Sequence, residues 1–80
     1  MPELLRLEGY RFFFYSREGE PREPPQVLVR KDGCEAKFWL TPIVRQAWNK
    51  RFDARALKFL EKAVIEYREE FEDRWNVFFT

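Results

Sequence analysis

The 80-residue sequence contains no histidine, a single cysteine and three glycines. Without histidine there is no imidazole for a Ser-His-Asp triad, for acid–base work near neutral pH or for a His-ligated metal. Cys34 has no second cysteine with which to close a disulfide within the chain and no histidine to activate it. It is expected to be an inert thiol in a reducing cytoplasm. The 36% of charged residues interrupt every apolar stretch before it reaches the length of a bilayer span, so no membrane association is expected. Leu4, Leu5 and Leu7 are broken by Arg6 and Glu8, which is not the pattern of a signal peptide. Fifteen basic and fourteen acidic side chains leave a net charge of +1, excluding a polybasic arm or an acidic tail. No cofactor and no metal are expected.

What the chain has in quantity is aromatic residues: nine Phe, three Trp and three Tyr. A 9.9 kDa chain has room for one domain, residues 1–80, and buries only about 60% of the surface its unfolded form exposes. Aromatic side chains, each able to bury roughly 150–250 Å², compensate for that shortfall. Either they form a dense core, or part of that surface faces a partner.

The first half reads as strands separated by turn signals. Leu4 to Leu7 and Tyr10 to Tyr15 flank Glu8-Gly9, a two-residue hairpin loop. That register pairs Leu7 with Tyr10 and Leu5 with Phe12. It sends Arg6, Arg11, Phe13 and Tyr15 to the opposite face, because strand side chains alternate. Residues 16–25, with three prolines and one glycine, read as a solvated loop. Gln26 to Arg30 and Cys34 to Trp39 flank Asp32-Gly33, a second hairpin. Here Val29 faces Ala36 and Val27 faces Phe38 on one side. Arg30 with Glu35, Leu28 with Lys37 and Gln26 with Trp39 stand on the other.

Thr41-Pro42 has the form of a helix start, which predicts a short helix from Pro42 to Trp48. Asp53 is a second candidate N-cap, and nothing breaks a helix from Ala54 to Phe79. Leu57, Leu60, Val64, Tyr67, Phe71, Trp75 and Phe78 recur every three or four residues and draw one apolar stripe. The predicted fold class is therefore α+β: a small antiparallel β-meander of three to four strands, a short helix, and a long C-terminal amphipathic helix packed on one face.

A straight helix over that length spans on the order of 39 Å, against roughly 20 Å for the strands. Either the helix bends or ends early and folds over its own sheet, or its far end packs against another chain. The second outcome predicts a homodimer contacting through Phe71, Trp75, Phe78 and Phe79.

Three constellations bear on chemistry. Residues 30–58 hold eight basic and three acidic side chains, and Trp48 and Phe52 interleave with Arg45, Lys50, Arg51 and Arg55. Cations beside aromatics suit a nucleic-acid backbone and its bases, although a solvated helix junction carries the same residues. Glu66, Glu69, Glu70, Glu72 and Asp73 read as a solvated helix face, since their spacing forms no closed cage for a hard cation. A small hydrolase or nuclease has only Glu35 or Glu23 with Lys37 to draw on.

The stretches from Gly9 to Ser16 (GYRFFFYS), Glu23 to Arg30 (EPPQVLVR) and Ala36 to Pro42 (AKFWLTP), followed by a helix ending at Trp75, resemble a small prokaryotic family known only as domain of unknown function number 4160. The resemblance covers nearly the whole chain. It implies no established activity. Members of that family are often encoded beside a second uncharacterised family, number 2442, which implies a partner from an adjacent gene and a pair resembling a toxin–antitoxin module. The family typically reads Pro-His-Val-His-Val where this chain has Pro25-Gln26-Val27-Leu28-Val29. Two histidines at such spacing share a strand face about 7 Å apart, whereas Gln26 and Leu28 neither titrate nor bind a transition metal.

The leading expectation is a non-enzymatic, cytoplasmic protein-interaction module, homodimeric, whose partner-binding residues are Tyr15, Gln26, Leu28, Lys37 and Trp39 on the non-core sheet face. The alternative is an RNA-binding, toxin-like protein or small nuclease using Arg45, Lys50, Arg51 and Arg55.

Overall fold

The computed structural model describes residues 3–14 and 24–78. Five strands, β1 (Glu3–Leu7), β2 (Tyr10–Phe13), β3 (Gln26–Lys31), β4 (Cys34–Trp39) and β5 (Arg45–Lys50), precede two helices, α1 (Ala54–Glu66) and α2 (Arg68–Phe78). The strands form one antiparallel sheet in the order β1-β2-β3-β4-β5, a meander in which every strand pairs with its neighbour in sequence. The class is α+β, with five strands and two helices.

Both tight hairpins follow from turn chemistry. Glu8 and Gly9 have φ of 50° and 86°, and Asp32 and Gly33 have φ of 52° and 81°. Two consecutive positive φ values make the turn whose twist matches the flanking strands. The β3–β4 register is the expected one throughout: Gln26 opposite Trp39, Val27 opposite Phe38, Leu28 opposite Lys37, Val29 opposite Ala36 and Arg30 opposite Glu35. In the first hairpin Leu7 meets Tyr10 and Leu5 meets Phe12, with an irregularity between Glu3 and Leu5 that turns Leu4 into the core.

The expected helix from Pro42 to Trp48 is instead strand β5. Thr41-Pro42 is a cis peptide within a bend rather than a helix start. A seven-residue helix is too short to sustain itself, while β4 offers an unpaired row of backbone donors and acceptors that a strand satisfies at once. Pairing runs Trp39 with Arg45, Phe38 with Gln46, Lys37 with Trp48 and Glu35 with Lys50, leaving Ala47 as an extra residue on β5.

The expected single helix is divided at Tyr67, which has φ −100° and ψ 12°. Asp53 is the N-cap, its Oδ1 accepting from the Ala56 N–H at 2.8 Å. Along β2 and the residue that follows it, Tyr10 meets Phe59 at 5.4 Å between ring centroids, Phe12 meets Phe71 at 5.8 Å and Phe14 meets Trp75 edge-on at 5.1 Å. Tyr10 and Phe14 are roughly 13 Å apart along an extended chain, whereas a straight helix would separate Phe59 from Trp75 by about 24 Å. The break at Tyr67 lets both ends of the stripe reach the same strand.

One core results, combining Phe12, Phe14, Val27, Val29, Phe38 and Leu40 from the sheet with Leu60, Val64, Phe71 and Trp75 from the helices. Phe71 is fully buried and Trp75 is 5% exposed within this single chain. Their assignment to an interface between subunits is corrected accordingly: Leu60, Val64, Phe71 and Trp75 of the stripe are covered within this one chain. Phe78 stays partly exposed, 6.4 Å from Phe14 between ring centroids, and Phe79 lies outside the described residues. Among the described residues no helix is long and apolar enough to cross a membrane.

Candidate functional site

Helices cover one face of the sheet, and the other face carries most of the strand charge. Cross-strand register orders that face into three rows, because directly opposed residues project to the same side. The first row is Arg6, Arg11, Arg30, Glu35 and Lys50, one residue from each strand. The second is Glu3, Phe13, Leu28, Lys37 and Trp48, and the third joins Gln26, Trp39 and Arg45.

Six cations and two carboxylates thus share the face among the described residues. Glu3 accepts from Arg6 at 3.0 and 3.2 Å and from Arg11 Nε at 3.3 Å. The Arg6 hydrogen bond holds the Glu3 carboxyl below its ordinary pKa, and the same contact raises that of Arg6. Arg30 donates to Glu35 Oε2 from Nε at 3.0 Å and lies 5.2 Å from the centroid of Phe13. With both carboxylates so engaged, Arg45 and Lys50 make no ion pair among the described residues, and both are exposed. Three arginines on adjacent strands in one row oppose like charge to like charge, a destabilising arrangement that two shared carboxylates only partly offset.

Aromatic groups complete the surface. Trp48 is 39% exposed and its ring lies 5.9 Å from Lys37 Nζ. Trp39 is half-buried one register step away, opposite Arg45. Each indole therefore has a cation beside it, on an antiparallel sheet backed by the aromatic core.

The two residue sets expected to serve different ligands partly converge. Lys37 and Trp39, assigned to a protein partner, stand on the same face as Arg45 and Lys50, assigned to nucleic acid. Gln26 and Leu28 belong to that face as well, but each is 1% exposed, so their assignment as contact residues is corrected: neither side chain is accessible to a partner. Tyr15 lies outside the described residues. Arg51 and Arg55 are exposed but belong to the loop after β5 and the first turn of α1, away from the three rows. Arg51 sits at φ 79°, where Asn49 brackets the turn by donating to the Phe52 carbonyl at 3.0 Å and accepting from the Phe52 N–H at 3.1 Å.

Sequence reasoning missed Arg6, Arg11 and Arg30 as site members, and it did not join Trp48 of the basic stretch to Lys37 and Trp39. The alternation that sent Arg6, Arg11 and Phe13 away from the core was the signal available for three strands. The helix assigned to residues 42–48 concealed the contribution of β5. For hydrolytic chemistry the yield is small: Glu35 is held by Arg30, and Glu23 lies outside the described residues. Cys34 stands opposite Lys31 at the far end of β4 and lines a shallow cleft with Tyr10, Phe52 and Asp53.

The chain belongs to the family described as Domain of unknown function (DUF4160), whose model matches residues 9–76, nearly the whole length. No curated protein and no solved structure matches it.

Proposed function

We propose that this chain is a non-enzymatic module that binds nucleic acid across the helix-free face of its sheet. The observation that carries the reading is the register that, among the described residues, brings six cations onto one face with two carboxylates and leaves Arg45 and Lys50 outside any ion pair. Cations in excess release condensed counterions from a phosphate backbone, which supplies affinity without requiring base recognition. The remaining acidic charge of α2, at Glu69, Glu70 and Asp73, is exposed on a helix outside that face, so it does not cancel the field there.

A titration of a fluorescein-labelled single-stranded oligonucleotide, followed by anisotropy, tests this directly. Four positive charges in excess predict a log–log salt slope near −2.8, or an affinity loss of about 50-fold between 50 and 200 mM salt. Replacing Arg45 and Lys50 together by glutamine lowers the slope by about 1.4 and weakens binding roughly tenfold or more at low salt. Absence of binding at 50 mM salt, or binding that ignores both salt and the double substitution, refutes the proposal.

A second reading, self-association, draws on Val77 and Phe78, which are 80% and 43% exposed beside a cleft of about 370 Å³ that includes Leu4 and Phe14. Light scattering at micromolar concentration distinguishes it: a mass near 20 kDa supports a homodimer, and a mass near 9.9 kDa removes that reading.

A further inference from the structure

The cations of the helix-free face are spread over all five strands, but the exposed aromatic surface of that face lies between β4 and β5. Trp48 stands opposite Lys37, and Trp39 is two residues along β4 from Lys37 on the same face. Trp48 and Trp39 are thus diagonal neighbours on one face, on either side of the Ala47 bulge, an arrangement suited to consecutive unpaired nucleotides. Lys37 lies beside the Trp48 ring and Arg45 opposes Trp39, so each indole has a cation positioned for the phosphate that follows its base. Trp48 keeps 39% of its surface exposed on β5, an edge strand of the sheet.

Resting on the nucleic-acid reading above, we infer that the ligand is a single strand whose bases stack on Trp48 and Trp39, while its backbone crosses the strands over Lys37, Arg45 and Lys50. In a duplex the bases are already stacked upon one another and turn only their edges outward, so a double helix cannot engage the indole faces. Stacking on an aromatic platform is tolerant of base identity, because every base presents a π-face. The module is therefore selective for strand state rather than for sequence.

Four ligands of equal length separate this from simple charge attraction: a single-stranded oligonucleotide, the same sequence as a duplex, a scrambled single strand, and a deoxyribose-phosphate chain lacking its bases. The single strands are expected to bind alike, and the abasic chain at least about 5-fold more weakly, with tryptophan fluorescence quenched only by the base-bearing single strands. Trp48→Ala should bring the single strand part of the way toward the affinity of the abasic chain, Trp39 keeping the remainder, while leaving the abasic chain itself unaffected. Because Trp48 is on an edge strand and partly exposed, a Trp48→Leu variant with an unchanged melting temperature serves as the control for folding. Equal binding of the base-bearing and abasic chains, or a duplex bound as tightly as the single strand, overturns the stacking inference while leaving the phosphate reading intact. Failure of all four ligands to bind overturns both.

Discussion

Replacing Trp75 by alanine separates an internal role for this residue from an external one. Trp75 is 5% exposed, packs edge-on against Phe14 at 5.1 Å, and belongs to the same cluster as Phe71, which stacks on Phe12 at 5.8 Å. Truncating a buried tryptophan costs about 3–5 kcal/mol, from lost transfer energy and from the cavity left behind. An 80-residue domain has only about 4–12 kcal/mol of stability in all. Each kcal/mol shifts the melting temperature of a domain this size by about 4–8 °C, so the variant should melt at least about 12 °C lower, if it folds at all. Thermal denaturation followed by far-ultraviolet circular dichroism, over a tenfold range of protein concentration, is the assay. Ile65→Ala, at a side chain 55% exposed on α1, provides the comparison and should change stability by no more than about 0.5 kcal/mol. A Trp75→Ala protein that melts within about 4 °C of the parent, or whose loss of stability appears only on dilution, would place this tryptophan at a surface between molecules and refute the core described here.

Two further outcomes follow from local geometry. Asn49→Ala removes both hydrogen bonds that fasten Phe52 beneath the end of β5, and should lower stability by about 1–3 kcal/mol in urea denaturation; an unchanged midpoint would mean the bracket is dispensable. Since the folded pKa of Glu3 is depressed, its contribution is present above the ordinary carboxylate pKa and lost as pH falls through the lowered folded value; NMR titration should show that lowered midpoint in the parent and a return toward the ordinary one in Arg6→Ala, whereas identical midpoints would contradict the pairing.

The parts of this fold that could be read from sequence are those whose causes are local. Glu8-Gly9 and Asp32-Gly33 specify hairpins by backbone conformation, and the period-two pattern of Val27, Val29, Ala36 and Phe38 then fixes which face is inward. Residues 45–50 were not legible in the same way. Their strand identity comes from the open edge of β4, a tertiary partner that outweighs the helix-start signal of Thr41-Pro42. The break at Tyr67 has no glycine or proline to announce it. Hydrogen bonds continue from Tyr67 N–H to the Ala63 carbonyl and from Phe71 N–H to the Tyr67 carbonyl, so only packing against Tyr10, Phe12 and Phe14 reveals why the axis is interrupted there. The candidate site inherits the same division. Lys37 and Trp39 were placed correctly on the non-core face by β3–β4 register, but Trp48, Arg45 and Lys50 joined them only once β5 was known to be a strand.

The most direct test of the central claim is the pattern of backbone amide shifts in a ¹⁵N-labelled sample titrated with a short single-stranded oligonucleotide at low salt. Perturbations should concentrate at Arg11, Arg30, Lys37, Trp39, Trp48 and Lys50, including the indole N–H groups of the two tryptophans, with α1 and α2 unaffected. Shifts confined to the helices, or an unchanged spectrum at saturating oligonucleotide, would contradict it.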